Sequence, residues 1–386
     1  MTTVQSSVNQ AVQQLIDRQV AEGIHRGVQV CAYKDGERIV DAWAGVMGPD
    51  DPRPVQPDTL FSSFSTTKGV AATALHILAD RGIIDYDAPV AKYWPEFAAK
   101  GKGNITVAQA MSHQAGLHYL PRPLTADFVC DWEGGLRYIA EGEPAWEPGT
   151  ATGYHALTYA WVVGGIVQHA SGRHIKDVIQ EEIARPLGVT GEMYVGIPQG
   201  VEDRLATLES QSDRSAATPF PIPPDHDWFK AMPPDMEFTF NDMRIRQACL
   251  PSANGHFTAR ALARMYGALA NGGEIDGVRL VSPERIPQMQ RIMTAEPDRV
   301  LIMPMRKGIG FFMGGAINTP MGAYVGATGP RQTAFGHAGA GGSIAFADPE
   351  VGLSFAMTLN KMQPALQGEG PAADLANLVR RELGVD

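Results

Sequence analysis

The sequence predicts an α/β fold of the α+β kind: one antiparallel sheet flanked by helices, built from both chain ends, with a mostly helical region inserted. Three observations carry this. Apolar runs bounded by turns occur around residues 28–44 and again around 308–357, while the stretch between them reads as helices and Pro/Gly-rich loops. Residues 69–82 form a helix apolar on most sides, the mark of a buried one. Finally, 386 residues that are 44% hydrophobic can build a large core. Residues 1–85 and 265–386 are expected to carry the sheet, and residues 86–264 the helical part.

The elements follow in order. Val8, Val12, Leu15, Ile16 and Val20 recur at helical spacing, so residues 5–22 read as an amphipathic helix. Residues 28–33 and 38–44 alternate gently around the turn Lys34-Asp35-Gly36-Glu37, a β-hairpin pattern. The buried helix comes next, with Val70, Ala71, Ala74, Leu75, Ile77 and Leu78. Residues 104–117 and 158–170 are the clearest helices of the middle region. Residues 213–243 are rich in Pro and aromatics, including Pro219, Phe220, Pro221, Trp228 and Phe229, and read as a long irregular lid or binding loop, the alternative being a solvated irregular excursion. Residues 308–313, 342–348 and 351–357 are short apolar runs with strand character. A helix over residues 372–383 closes the chain.

Composition removes several function classes. Charged residues are 19% with net charge −10, and no Lys/Arg cluster stands out, so no nucleic-acid partner is expected. Cys31, Cys130 and Cys249 lie far apart, which fits neither a disulfide framework nor a zinc site. No histidine pattern has metal-ligand spacing and no phosphate loop occurs, so neither metal nor cofactor is expected. The polar start shows no export signal, and no apolar run approaches a membrane span. The expected setting is cytoplasmic.

The chemistry-bearing motif is Ser65-Thr66-Thr67-Lys68, at the head of the buried helix. Three residues apart on a helical turn, an amine reaches a hydroxyl that is a poor nucleophile until its proton is taken. The helix N-terminus also favours developing negative charge there. Chance readily supplies such a match, so its partners decide. One is Tyr154, in the Gly-rich loop 148–156; a phenol beside an ammonium is expected to have a depressed pKa. The bland alternative is a tyrosine that merely caps the loop. Another is Gly336-His337-Ala338-Gly339-Ala340-Gly341-Gly342, whose glycines let backbone N–H groups approach a ligand; here the alternative is a plain turn.

These three motifs, in this order and at this wide spacing, resemble those of serine β-lactamase-like hydrolases. Residues 111–117, 251–256 and 346–350 add supporting similarity, and the likeness runs from about residue 8 to 383. The branch it most resembles is the class C β-lactamase-like carboxylesterases, or family VIII esterases. The resemblance implies a β-lactamase/transpeptidase-like fold in which Ser65 is acylated and Lys68 and Tyr154 share general-base and general-acid duty. It also implies an oxyanion hole from the Ser65 and Ala340 amides, with His337 and Gly339 on the substrate side. Bringing Lys68 near neutrality would take roughly 3 pKa units, about 4 kcal/mol. His155, Trp228 and Phe229 are expected in the substrate pocket.

Two departures point to the substrate. The family's Tyr-x-Asn reads Tyr154-His155-Ala156 here, and the lysine opening its third motif is replaced by His337. A neutral imidazole grips a carboxylate far less than an ammonium does. Neutral, short-chain carboxylic esters need neither contact, so the expected enzyme is a serine carboxylesterase acting on a small-molecule ester. The alternatives are a β-lactamase, a D-amino-acid peptidase or amidase, an acyltransferase, or a non-catalytic acyl-binding scaffold. The sequence leaves the oligomeric state open.

Overall fold

The computed structural model describes residues 6–209, 222–319, 322–363 and 370–386. Its main sheet has six strands, in the order Glu37–Gly45, Gly27–Lys34, Leu353–Leu359, Ile344–Asp348, Phe335–Ala338, Phe312–Met313. Every neighbouring pair is antiparallel. The first strand pairs with the last, Val30 opposite Met357, which joins the two ends of the chain in one sheet.

Both faces of this sheet are covered. Val28, Val30 and Ala32 share a core with Val12 and Ile16 of the helix Ser7–Ala21 and with Leu375 and Val379 of the helix Pro371–Leu383. The intervening Cys31 and Tyr33 share the other core with Leu262, Met265 and Leu269 of the helix Ala259–Ala270. Two-sided burial is why the strand Leu353–Leu359 is buried at every position and reads as a plain apolar run. The Ser6 hydroxyl caps the first helix at Asn9 and donates to Ile39 O at 2.7 Å, which docks that helix on the hairpin.

The helix Thr67–Asp80 lies in the middle of the larger core, with every residue from Thr67 to Ala79 buried. A short three-stranded sheet, Phe61–Ser62, Gly255–Phe257 and Met193–Val195, braces the chain just ahead of it. The helix Ala259–Ala270 crosses residue 265, where the two regions were expected to meet.

Four elements differ from expectation. In place of a helix over 104–117 there is one turn and a half, Val107–Met111, opened by a Thr106/Gln109 capping box. His113 (φ +65°) and Gly116 (φ +73°) then take left-handed backbone, which no α-helix accommodates. Only Phe312–Met313 of the 308–313 run is strand, because the chain bends at Gly310 (φ +80°) where a Cβ would stand 2.6 Å from Ala72 Cβ. Gly341 and Gly342 form a turn, so the next strand starts at Ile344. Within 213–243, residues 213–221 lie outside the described residues, and the rest contains a short helix, Asp227–Ala231, capped by His226. Among the described residues no helix is long and apolar enough to cross a membrane, and no cluster of three or more His, Cys, Asp or Glu could hold a metal.

Candidate active site

Ser65 occupies the 3-10 turn Phe64–Thr66, directly before the central helix. The turn is held tightly. Phe64 has φ +43°, Ser63 N donates to Gly255 O at 2.9 Å, and Gly255 N donates to Thr67 Oγ1 at 2.9 Å. Left-handed backbone at a large side chain is uncommon and persists only where the surroundings impose it.

Lys68 is fully buried, and its Nζ lies 3.0 Å from Ser65 Oγ, 2.7 Å from Ala156 O and 2.9 Å from Ser252 O. Burial holds this amine well below its ordinary pKa. A neutral amine has two N–H groups and one lone pair. The two carbonyls can only accept, so they take both N–H groups and leave the lone pair for the Ser65 hydroxyl. Ser252 was not singled out from the sequence, and could not be, because it contributes a backbone oxygen. Ala156 acts through its carbonyl too, so losing the family's asparagine side chain leaves this contact intact.

Tyr154 lies beside the pair, with Lys68 Nζ 4.7 Å from its ring centroid. The expectation of a depressed phenol fails. Burial pushes it well above its ordinary pKa, and the nearby Ser65 hydroxyl offsets this only in part. The reason is that Lys68 is itself buried and driven toward neutrality, leaving little positive charge to stabilise a phenolate. The phenol oxygen is buried and makes no aligned hydrogen bond among the described residues.

The Gly-rich turn is bolted to the nucleophile turn by Ser343. Its hydroxyl donates to Ser63 O at 2.8 Å and meets Thr66 Oγ1 at 3.1 Å. Gly339 sits in the same crevice, where a Cβ would stand 2.4 Å from Ser63 O. Ala340 is exposed at the tip of the turn, and among the described residues neither its amide nor that of Ser65 meets an internal acceptor. His337 is buried, its ring 4.5 Å from Phe312 and 6.1 Å from Tyr154. Nδ1 lies 2.7 Å from Ala338 O, which can only accept, so Nδ1 carries the proton and Nε2 presents a lone pair that has no partner among the described residues. Burial and the neighbouring Lys68 hold the imidazole down to about 3.

The structure thus brings Ser65, Lys68, Tyr154, His337 and Gly339 together. It does not put His155 in the pocket. That ring is fully buried, with Nδ1 bound to Gly153 O at 2.8 Å and Nε2 accepting from Leu117 N at 2.9 Å, so both nitrogens are spent on backbone. Trp228 and Phe229 are half-buried in the helix Asp227–Ala231, whose Ala231 packs in one apolar cluster with Tyr154, Ala156, Val300, Met305 and Phe312. The segment 300–305 was not anticipated as part of this wall. Its only sequence signal is the run Val300-Leu301-Ile302-Met303.

The Beta-lactamase family profile matches residues 12–378, nearly the whole chain. The chain belongs to the Beta-lactamase family. Among its relatives, Esterase/beta-lactamase LipL of Mycobacterium tuberculosis is 36% identical over 345 residues, covering 87% of this chain and 77% of the relative. A family VIII carboxylesterase structure superposes with a TM-score of 0.88 at 33% identity, covering 98% of this chain and 99% of the other. A penicillin-binding protein homologue from Caulobacter crescentus gives a TM-score of 0.87 at 35% identity, covering 100% and 99%. This family membership matches the β-lactamase-like fold expected from the motifs.

Proposed function

We propose that this Beta-lactamase family member is a serine carboxylesterase that hydrolyses short-chain esters through an acyl-Ser65 intermediate. The observation that carries this reading is the Lys68 amine, buried, fixed by two carbonyl acceptors and 3.0 Å from Ser65 Oγ. Lys68 takes the Ser65 proton as Oγ attacks the ester carbonyl. The oxyanion that forms is met by the free Ser65 and Ala340 amides, each such donor being worth about 2.7–4 kcal/mol. The buried, protonated Tyr154 then gives its proton to the leaving alcohol and recovers one from Lys68. Water attacks the acyl-enzyme by the same relay in reverse and releases the acid.

A neutral ester is favoured over a β-lactam or peptide because His337 presents a lone pair, which repels a substrate carboxylate. The likeness to a family VIII carboxylesterase structure supports an ester substrate, while LipL is named for both activities. Replacing Ser65 by Ala should abolish p-nitrophenyl butyrate turnover; undiminished turnover would refute the reading. Nitrocefin cleaved faster than the ester would shift it to a β-lactamase.

A further inference from the structure

The ion pair Asp298–Lys307 lies beside the site, and none of the steps above uses it. Its side chains are 0% and 1% exposed. Asp298 Oδ1 accepts from three backbone amides: Tyr154 at 3.1 Å, and Val300 and Leu301 at 2.8 Å each. Asp298 Oδ2 accepts from Lys307 Nζ, which also donates to Thr152 Oγ1 at 2.6 Å. Thr152 O in turn accepts from Arg299 N at 2.9 Å. One carboxylate therefore ties the Tyr154 loop to the segment 298–307.

Stability alone is a poor reason to keep such a pair, since desolvation of two buried charges offsets most of their attraction. Geometry gives a better one. The same oxygen that holds the Tyr154 amide also shapes the segment that supplies Val300, Leu301, Met303 and Met305 to the cluster around the Tyr154 ring. At the apex of that segment Ile302 has φ +65°, a conformation β-branched residues seldom adopt, and it is 44% exposed. Bonds from Ile302 N to Asp298 O (2.8 Å) and from Asp298 N to Met303 O (3.0 Å) hold it there. The feature is a strained apolar turn pinned from beneath by a buried carboxylate.

We propose that Asp298, clamped by Lys307, is a positioning residue that aims the Tyr154 hydroxyl at the leaving alcohol and sets the apolar wall that selects the acyl chain of the ester. The proposal rests on the reading of Tyr154 as the proton donor. It separates two kinds of substrate. An alkyl ester leaves as an alkoxide that must be protonated, whereas p-nitrophenolate leaves unaided.

The test measures kcat/KM for ethyl butyrate and p-nitrophenyl butyrate, and for p-nitrophenyl esters from acetate to octanoate, in wild type, Asp298→Asn and Ser65→Ala. Asparagine keeps an oxygen for the amides but turns an NH2 toward Lys307, donor against donor. The ethyl ester should lose about 10–100-fold in Asp298→Asn, the scale of a misplaced catalytic group. The p-nitrophenyl ester should lose far less, and the chain-length preference should flatten. Equal losses on both esters with an unchanged length preference would overturn the proposal, as would undiminished ethyl-ester turnover. If Asp298→Asn does not fold, Thr152→Val, which removes the neutral acceptor of Lys307 together with two long contacts to Ser112 O and His113 O at 3.5 Å each, should show the same bias against the ethyl ester, and an unbiased loss there overturns the proposal. Turnover that survives Ser65→Ala overturns the acyl-serine reading and this inference together. Loss there without bias in Asp298→Asn overturns this inference alone.

Discussion

An amine between two carbonyl oxygens and a hydroxyl can be an ammonium with three donors or an amine with two, and at Lys68 burial favours the amine. The consequence is directional. A base whose pKa is lowered works above that pKa, so kcat/KM should fall as pH drops through it. Lys68→Arg substitutes a guanidinium that keeps its proton throughout, and turnover of p-nitrophenyl butyrate should fall by about 10²–10⁴-fold, the usual worth of a positioned base. His337 is already neutral above about 3, so His337→Gln should alter KM and leave the acid limb in place. An acid limb that vanishes in His337→Gln would assign it to the wrong group. At this scale the sequence was legible where chemistry resides in a side chain, as at Ser65, Lys68 and Tyr154. It was silent where a backbone carbonyl acts, as at Ala156 and Ser252, and where a charge is buried by distant packing, as at Asp298.

Between elements, the contact that matters most is the one between the nucleophile turn and the Gly-rich turn, more than 270 residues later in the chain. Ser343 spans it with one hydroxyl, which donates to Ser63 O and meets Thr66 Oγ1. Removing that hydroxyl frees the turn that carries Ala340 without touching Ser65, Lys68 or Tyr154. Ser343→Ala should therefore lower kcat by about 10-fold with a smaller change in KM, a fraction of one oxyanion donor. A loss confined to KM would mean that the turn binds substrate and leaves the oxyanion alone. Element type was legible where periodicity runs long, as in the N-terminal helix, the first hairpin and the closing helix. It failed at 104–117, where apolar spacing continues past Met111 but His113 and Gly116 leave the helical region to carry the chain toward the site. Ring contact of His113 with Tyr154 at 4.9 Å depends on that break. Short-range pattern cannot report a turn imposed by tertiary contacts.

The whole molecule is built by pairing its first strand with its last, and the burial this creates encloses several histidines as well as the site. His76, His155, His256 and His337 are each held down to about 3, with burial the largest cause in every case. Each Nδ1 meets a neutral partner: that of His76, for example, meets Tyr86 Oη at 2.6 Å, and its Nε2 meets Ile309 O at 3.0 Å. In the unfolded chain the same rings titrate near 6.5, so between that pH and about 3 the unfolded state binds more protons than the folded one. Stability is then complete above the unfolded value and is lost as pH falls, at about 1.4 kcal/mol per pH unit for each ring. The four rings thus weaken the fold at a pH above the range where carboxylates protonate. Urea titrations at pH 7, 6 and 5 should show stability dropping steeply, and His256→Gln should flatten that slope by about one ring's share, 1.4 kcal/mol per pH unit. His256 suits the test because, among the described residues, its Nε2 has no partner to lose and its Nδ1 meets only Asn254 O, so the change in slope reports the proton. Stability that stays level from pH 7 to 5 would mean that these rings gain charge-accepting partners on folding, contrary to the burial seen at all four.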